Sequence, residues 1–169
     1  RGLCNSDGTI TWSAEEQTAI AAVANTFQAE VTVATDSGGL PWISYEKWDE
    51  SAGIIGPYVT KSSLGNGTWS TAANFPYELI ATDTTAVTPS ILPLLSGKMA
   101  IVWTNGATTV RIRQWNGSSW LSTAYTSSSV DAWDKYSAVS DGDSVHLTFT
   151  VSGNIKHVVY SAASNTFGS

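Results

Sequence analysis

The sequence predicts an all-β protein in which one four-stranded unit is repeated along the chain. Its 169 residues include eight Trp and six Tyr, but only 13% are charged, and this composition favours strands over helices. Short β-branched or alternating runs follow one another, separated by Gly, Asn, Asp and Ser. The runs also recur in a fixed order, so the strands belong to a repeated unit.

Each unit opens with an apolar strand, a tight turn and a second strand that ends near an aromatic residue. Gly38, Gly97 and Gly142 mark the turns of these hairpins, which lie within 31–45, 91–104 and 136–150. Aspartate or serine beside glycine is typical of such turns. We therefore expect the first two strands of each unit to be an antiparallel pair.

A second hairpin follows each first one, within 57–71, 109–123 and 155–169, and a partial copy occupies 4–16. The closing aromatics are Trp12, Trp69, Trp120 and Phe167. Four strands in each 45–59 residues are typical of a β-propeller blade. The sequence thus predicts a single propeller segment over 1–169, with a blade end at 4–16 and blades at 27–74, 86–125 and 133–169. The alternative is a two-sheet sandwich with coincidental spacing.

The number of blades has a consequence for assembly. Propellers typically have four to eight blades, so three blades and a partial one do not close a ring. We expect either further blades from the same protein or a second copy that completes a six-bladed ring. The N-terminal strand is a candidate to complete the last blade. The chain opens on Arg1 rather than Met, so we expect it to be processed or part of a longer protein.

One segment departs from the β pattern, because residues 14–24 (AEEQTAIAAVA) are rich in helix-forming residues. We expect a short helix there. Elsewhere, Asn66-Gly67 and Asn116-Gly117 predict type I′ hairpin turns, as does Asp141-Gly142. Asn66 and Asn116 also begin N-glycosylation sequons, and their turns predict exposed acceptor sites.

The closing hairpins resemble a known repeat. CNSDGTITW (4–12) resembles the Asp-box of sialidase-type (BNR) propellers, in which Asp7, Thr11 and Trp12 match the pattern. The later copies keep fewer positions, notably the aromatic. This resemblance implies a propeller of six or more blades and implies no activity. TVRIRQWNGSSW (109–120) is similar to blades of the small fucose-binding propeller lectins, which implies sugar binding and rings built by oligomerisation.

Catalytic chemistry finds little support in the sequence. A sialidase site needs an arginine cluster, but the chain has only Arg1, Arg111 and Arg113, and the last two share one strand face. Tyr45-Glu46 is an adjacent Tyr/Glu pair, and Asp49-Glu50 is the acidic pair that a glycosidase would use. We therefore assign no catalytic residue.

The sequence supports neither a metal site nor a cofactor site. His146 and His157 could face each other across a ladder, but no third ligand is apparent, and Cys4 is the single cysteine. We expect no cofactor and no metal. The net charge of −6 excludes nucleic acid and anionic membrane as partners, and no apolar run is long enough to span a bilayer.

These observations predict a non-catalytic recognition or adhesion propeller, secreted or on a cell surface, that binds a glycan or a glycosylated surface. The candidate sugar-binding residues are Trp48, Arg111, Arg113 and Trp115. Two alternatives stay open. The chain is part of a sialidase-like glycoside hydrolase whose catalytic residues lie outside it, or it is a structural subunit of a surface or virion assembly.

Overall fold

Three antiparallel sheets of four strands each dominate the computed structural model, which describes residues 2–12, 17–80, 88–104, 109–126 and 136–168. The strands are β1 (Gly2–Cys4), β2 (Ile10–Trp12), β3 (Thr26–Thr35), β4 (Pro41–Asp49), β5 (Ile54–Lys61), β6 (Tyr77–Glu78), β7 (Ser90–Pro93), β8 (Met99–Thr104), β9 (Val110–Trp115), β10 (Ala124–Tyr125), β11 (Ser137–Asp141), β12 (Ser144–Val151), β13 (Asn154–Ser161) and β14 (Thr166–Phe167). A single 3₁₀ turn at Leu95–Gly97 is the helical element among these residues.

Each sheet is a meander in which neighbours in sequence are neighbours in space. The first sheet has the order β3-β4-β5-β6, the second β7-β8-β9-β10 and the third β11-β12-β13-β14. We call them blades one, two and three. The all-β prediction and the prediction of four-stranded antiparallel propeller blades are both confirmed.

Blade two lies between the other two blades, and its second strand explains how. All six residues of β8 are buried, although alternate residues point to opposite faces of the sheet. Met99, Ile101 and Trp103 join an apolar cluster with blade one, whereas Ala100 and Val102 join a cluster with blade three. A strand buried on both faces has a continuous apolar sequence, as MAIVW has here.

The outward faces of blades one and three keep exposed apolar side chains. On blade one, Val33 is 68% exposed while its neighbour Ala34 packs toward blade two. On blade three, Val139 is 61% exposed and Ile155 82% exposed. These β-branched side chains lie on the faces where a further blade of a ring would pack.

The predicted helix over residues 14–24 is wrong for the part that the structure describes. Residues 17–24 form no helix, and residues 14–16 lie outside the described ranges. Instead, Ala19, Ile20 and Val23 line a cavity of about 260 Å³ together with Tyr45 and Tyr58 of the outward face of blade one. The apolar residues of this segment therefore cover a sheet instead of forming a helical stripe.

The predicted type I′ turns are also wrong at the three Asx-Gly positions. Gly67 and Gly117 have positive φ (+96° and +105°), but the asparagines before them do not. Asp141 ends β11, so the central pair of its hairpin is Gly142-Asp143, in which only Gly142 is left-handed. The type I′ pattern, with positive φ at both central positions, occurs at Ser152-Gly153 between β12 and β13.

The N-terminal strand does not complete the last blade in this structure. β2 pairs with β1, Gly2 opposite Trp12, in a separate two-stranded hairpin. The fourth position of blade three is held by β14, in which Phe167 lies opposite Tyr160. No helix within the described ranges has the length and apolar character needed to cross a membrane.

Candidate functional site

A cluster of aromatic rings fills the junction between blades one and two. Trp42 of β4 is fully buried and forms its floor. The ring centroids of Phe75, Trp115 and Trp120 lie 5.3, 5.9 and 6.3 Å from that of Trp42, in tilted or edge-on arrangements. Such geometries are the ones that aromatic quadrupoles favour, so the cluster is a packed unit.

The outer side of this cluster opens into a groove of about 260 Å³, which we call the aromatic groove. Its walls are four half-buried rings, and its rim carries one amide and two hydroxyl groups. The lining residues are Ala73, Asn74, Phe75, Tyr77, Trp115, Ser118, Ser119 and Trp120. Tyr77 stacks on Trp120 at 5.3 Å, which joins the two walls at the base.

The turn after β9 places two of these rings. Asn116 Oδ1 accepts hydrogen bonds from the N–H groups of Ser118 and Ser119, both at 2.9 Å, and Asn116 N donates to the Ser119 carbonyl. The chain then returns so that Trp115 and Trp120 form a β-bridge with ring centroids 5.5 Å apart. The asparagine side chain builds this turn, which explains why Asn116 itself needs no positive φ.

A partly buried ion pair supports Trp42, the floor of the aromatic cluster. Asp36 Oδ2 lies 3.1 Å from Lys61 Nζ and 3.0 Å from the indole Nε1 of Trp42, while Lys61 sits over the Trp42 ring at 4.6 Å. Burial acts to raise the pKa of Asp36. Hydrogen bonds from Trp42, the Leu40 N–H and Lys61, together with the lysine charge, outweigh it and lower the pKa below 3.8.

Arg113 lies behind the groove, where its guanidinium is held by backbone carbonyls. Its Nη1 donates to the Leu79 carbonyl across the blade junction, and its Nε donates to the Leu121 carbonyl at 3.0 Å. The guanidinium carbon stands 5.3 Å from the Tyr77 ring centroid. The contribution of Arg113 is therefore to hold Tyr77 and the two blades in place.

The other two predicted sugar-binding residues lie away from the groove. Arg111 is two residues earlier on β9, over the Tyr125 ring at 5.6 Å. Trp48 lies six residues beyond Trp42 on β4, roughly 20 Å along the strand. It pairs with Phe27 at 5.6 Å and is 42% exposed. Of the four predicted residues, Trp115 alone lines the groove, and Arg113 contacts its wall through Tyr77. Arg111 and Trp48 contact other rings.

The two candidate catalytic pairs, Tyr45-Glu46 and Asp49-Glu50, lie on β4 and at the start of the turn that follows it. Tyr45 and Glu46 are consecutive on β4, so their side chains point to opposite faces of the sheet. Burial raises the pKa of Tyr45 to about 12. Asp49 Oδ1 accepts from the N–H groups of Ser51 and Ala52 and from the Ser51 hydroxyl, and these bonds lower its pKa. Asp49 therefore builds the β4–β5 turn.

A larger cavity of about 650 Å³ lies on blade one. Four glycines and one indole ring are among its lining residues, which are Gln17, Thr35, Gly38, Gly39, Pro41, Gly65, Gly67, Thr68 and Trp69. It adjoins the first sequon, whose Asn66 is exposed, as is Asn116 of the second. Glycosylation at Asn66 and Asn116 stays a prediction.

Sequence reasoning missed the half of the groove that blade one supplies. Phe75, Tyr77 and Asn74 follow β5, far from Trp115 in the sequence. The tripeptide Phe75-Pro76-Tyr77, an aromatic pair around proline after the third strand of a blade, is the signal that could have found them. Ser118 and Ser119 lie within the stretch 109–120 that resembles lectin blades, but they were not predicted to be rim residues.

Comparison with known proteins gives a distant structural likeness and no family. The sequence matches no model of a protein family and no curated protein sequence. Among solved structures, the chain is similar to Zg3597, a family 117 glycoside hydrolase from the marine bacterium Zobellia galactanivorans, with 14% identity and a TM-score of 0.46. The match covers 80% of this chain and 52% of that one, so the chain spans about half the length of Zg3597.

Proposed function

We propose that this chain is a propeller segment that recognises glycans and that the aromatic groove binds one sugar ring. A single observation carries the proposal. Four half-buried aromatic rings open on one groove of about 260 Å³ whose rim bears hydroxyl and amide groups. Rings of this kind pack against the C–H face of a sugar, while rim groups hydrogen-bond to its hydroxyls.

The lining residues also define which sugars fit. None of the eight side chains that line the groove carries a charge. The nearby guanidinium of Arg113 already donates to two backbone carbonyls. Redirecting it to a sugar carboxylate would leave the Leu79 and Leu121 carbonyls without those donors, which is costly when they are buried. We therefore expect neutral sugars to bind better than acidic ones.

The test begins with an array of neutral and acidic glycans, followed by calorimetry with the best neutral binder. Trp115→Ala removes one wall of the groove and should lower the affinity by about tenfold or more, since the most important binding residues each contribute about 2 kcal/mol or more. Thermal unfolding of the same variant shows whether the blade junction survives.

Trp48→Ala is the matched control, because it deletes the same side chain from an exposed position on β4 of blade one, away from the groove. It should leave the affinity unchanged. Equal losses in the two variants, or an array without any bound neutral glycan, would contradict the proposal. Preference for acidic glycans would contradict the argument from Arg113.

We further propose that the protein works outside the cell or at a cell surface, as a ring that a second copy completes. In support, the exposed Val33, Val139 and Ile155 lie on the two outward blade faces, and rings typically need four to eight blades. Light scattering on the eluting protein should give twice the chain mass of 17.9 kDa. A compact monomer would contradict a second copy and leave further blades of the same protein as the partner.

A further inference from the structure

Two histidines meet on the outward face of blade three. His146 of β12 and His157 of β13 are diagonal neighbours, because His146 lies opposite Val159 and His157 opposite Thr148. Nδ1 of His146 is 3.2 Å from Nε2 of His157, and the two rings are nearly parallel at 15°. This confirms that the two side chains face each other across the ladder.

The distance between the two nitrogens is the one expected for two ligands of a single transition-metal ion. Imidazole nitrogens bind Zn²⁺ at about 2.0–2.1 Å. Two nitrogens 3.2 Å apart then subtend an angle of about 100° at the metal, between the values for tetrahedral and for cis octahedral ligands. No rearrangement of the strands is needed to bring both ligands to one ion.

The scaffold holds the pair in that position. β12 and β13 are paired over eight consecutive residues, and the opposite face of β12 is anchored by the buried side chains of Val145 and Leu147. The histidines are on strands rather than in a loop, so their Cα positions are fixed. A fixed pair loses little conformational entropy when it binds, which favours chelation.

We propose that His146 and His157 form a two-histidine site for a transition-metal ion such as Zn²⁺, Cu²⁺ or Ni²⁺. Imidazole suits these ions, whereas Mg²⁺ and Ca²⁺ require oxygen ligands. In the single chain, where this face of blade three is uncovered, the remaining coordination positions are open to water, since the described residues contain no group of three or more His, Cys, Asp and Glu side chains. In the metal-free chain one ring donates a hydrogen bond to the other. On binding, that proton moves to the far nitrogen of its own ring.

The composition of the chain makes the test sharp, because His146 and His157 are its only histidines. The 169-residue chain, carrying Cys4→Ser to remove the exposed thiol, is titrated with ZnCl₂ by calorimetry and with CuCl₂ by electron paramagnetic resonance. We expect one ion per chain and a copper spectrum with hyperfine splitting from two imidazole nitrogens.

His146→Ala and His157→Ala should each lower the Zn²⁺ affinity by about tenfold or more and leave splitting from a single imidazole, since even outer-sphere changes at metal sites cost 10–100-fold. Lys156→Ala is the matched control on the same strand and should bind like the parent chain. Its unfolding midpoint and those of the histidine variants show that all are folded.

Three outcomes would overturn the site. The first is unchanged Zn²⁺ affinity in both single variants. The second is a copper spectrum without nitrogen splitting from two rings. The third is one ion for every two chains together with metal-induced dimers, which would mean that the histidines bind between copies. None of these outcomes bears on the aromatic groove, which shares no residue with the pair.

Discussion

The two blade junctions of this protein are built from different side chains. Between blades one and two, tryptophan and other large rings meet in open, tilted arrangements, with Trp42 and Trp103 fully buried. Between blades two and three, the cluster is mainly aliphatic, with Val102, Ile112 and Leu147 fully buried. The same blade architecture is therefore held by two kinds of packing.

The two kinds of packing give the two junctions different linings. Branched aliphatic side chains interdigitate and fill the space between two sheets. At the aromatic junction the ring centroids of Phe75 and Trp115 are 6.0 Å apart, and both rings line the open groove. The aliphatic junction includes a polar contact, since the Tyr160 hydroxyl lies 2.7 Å from Gln114 Oε1 across the two blades. This second junction also opens at its outer strands, into a cavity of about 420 Å³ whose lining includes Tyr125 of β10 and Phe167 of β14.

The largest effect should come from the floor of the aromatic junction. Trp42→Ala removes a fully buried ring that contacts three others, and it should lower the free energy of unfolding by about 3–5 kcal/mol. Denaturation in guanidinium chloride measures it. Trp48→Ala is the control, since that ring is 42% exposed. Similar losses in the two variants would show that the aromatic junction is not the stabilising one.

The polar contact of the aliphatic junction should have a smaller effect. Tyr160→Phe deletes the hydroxyl beside Gln114, whose amide is 2% exposed and would keep one polar atom without that partner. We expect a loss of about 1–3 kcal/mol. Tyr125→Phe, at a 52% exposed position, should change the free energy of unfolding very little. A neutral Tyr160→Phe variant would mean that this junction depends on aliphatic packing alone.

Acid should weaken the aromatic junction selectively through Asp36. Its folded-state pKa is lowered below 3.8, so its contribution to stability is present above that value and lost as pH falls through the lowered pKa. Unfolding free energies measured from pH 5 downward should fall less steeply for Asp36→Asn than for the parent chain. Lys61→Met should move the loss to higher pH. An identical pH slope in Asp36→Asn would contradict this role.

The smallest effect should come from the ion pair that links blades two and three. Lys98 Nζ contacts Asp143 Oδ2, and the two side chains are 21% and 36% exposed. Because solvent screens such a pair, Lys98→Met should cost about 1 kcal/mol or less, and the loss should shrink further as salt is added. A loss above 2 kcal/mol that salt leaves unchanged would show that the pair acts as a buried one.

Much of the fold could be predicted because its signals are local. The period-two alternation of β12 and the glycines at the β3–β4, β7–β8 and β11–β12 turns act over a few residues. The predicted turn type at Asn116 was wrong because an asparagine side chain can bond to the backbone two residues ahead, which replaces the need for its own positive φ. The residue alone does not choose between these two arrangements.

The candidate site could be predicted only in part. Trp115 and Arg113 are in one strand, and their pattern was visible. The other wall of the groove, Phe75 and Tyr77, comes from a different blade, and nothing local pairs it with Trp115. Residues 17–24 were also mispredicted for lack of information about distant contacts. Their composition favours a helix, but Ile20 and Val23 lie beside Tyr45 and Tyr58 of blade one.

The sequence by itself determined the strand pattern, the positions of the tight turns and the three repeated blades, because each depends on interactions within a few residues. Only the tertiary structure decided which side chains of different blades meet. That choice placed Trp115 against Trp42 and His146 against His157. It depends on how each sheet twists and on which side chains fill the space between neighbouring sheets, quantities that no short stretch of sequence contains.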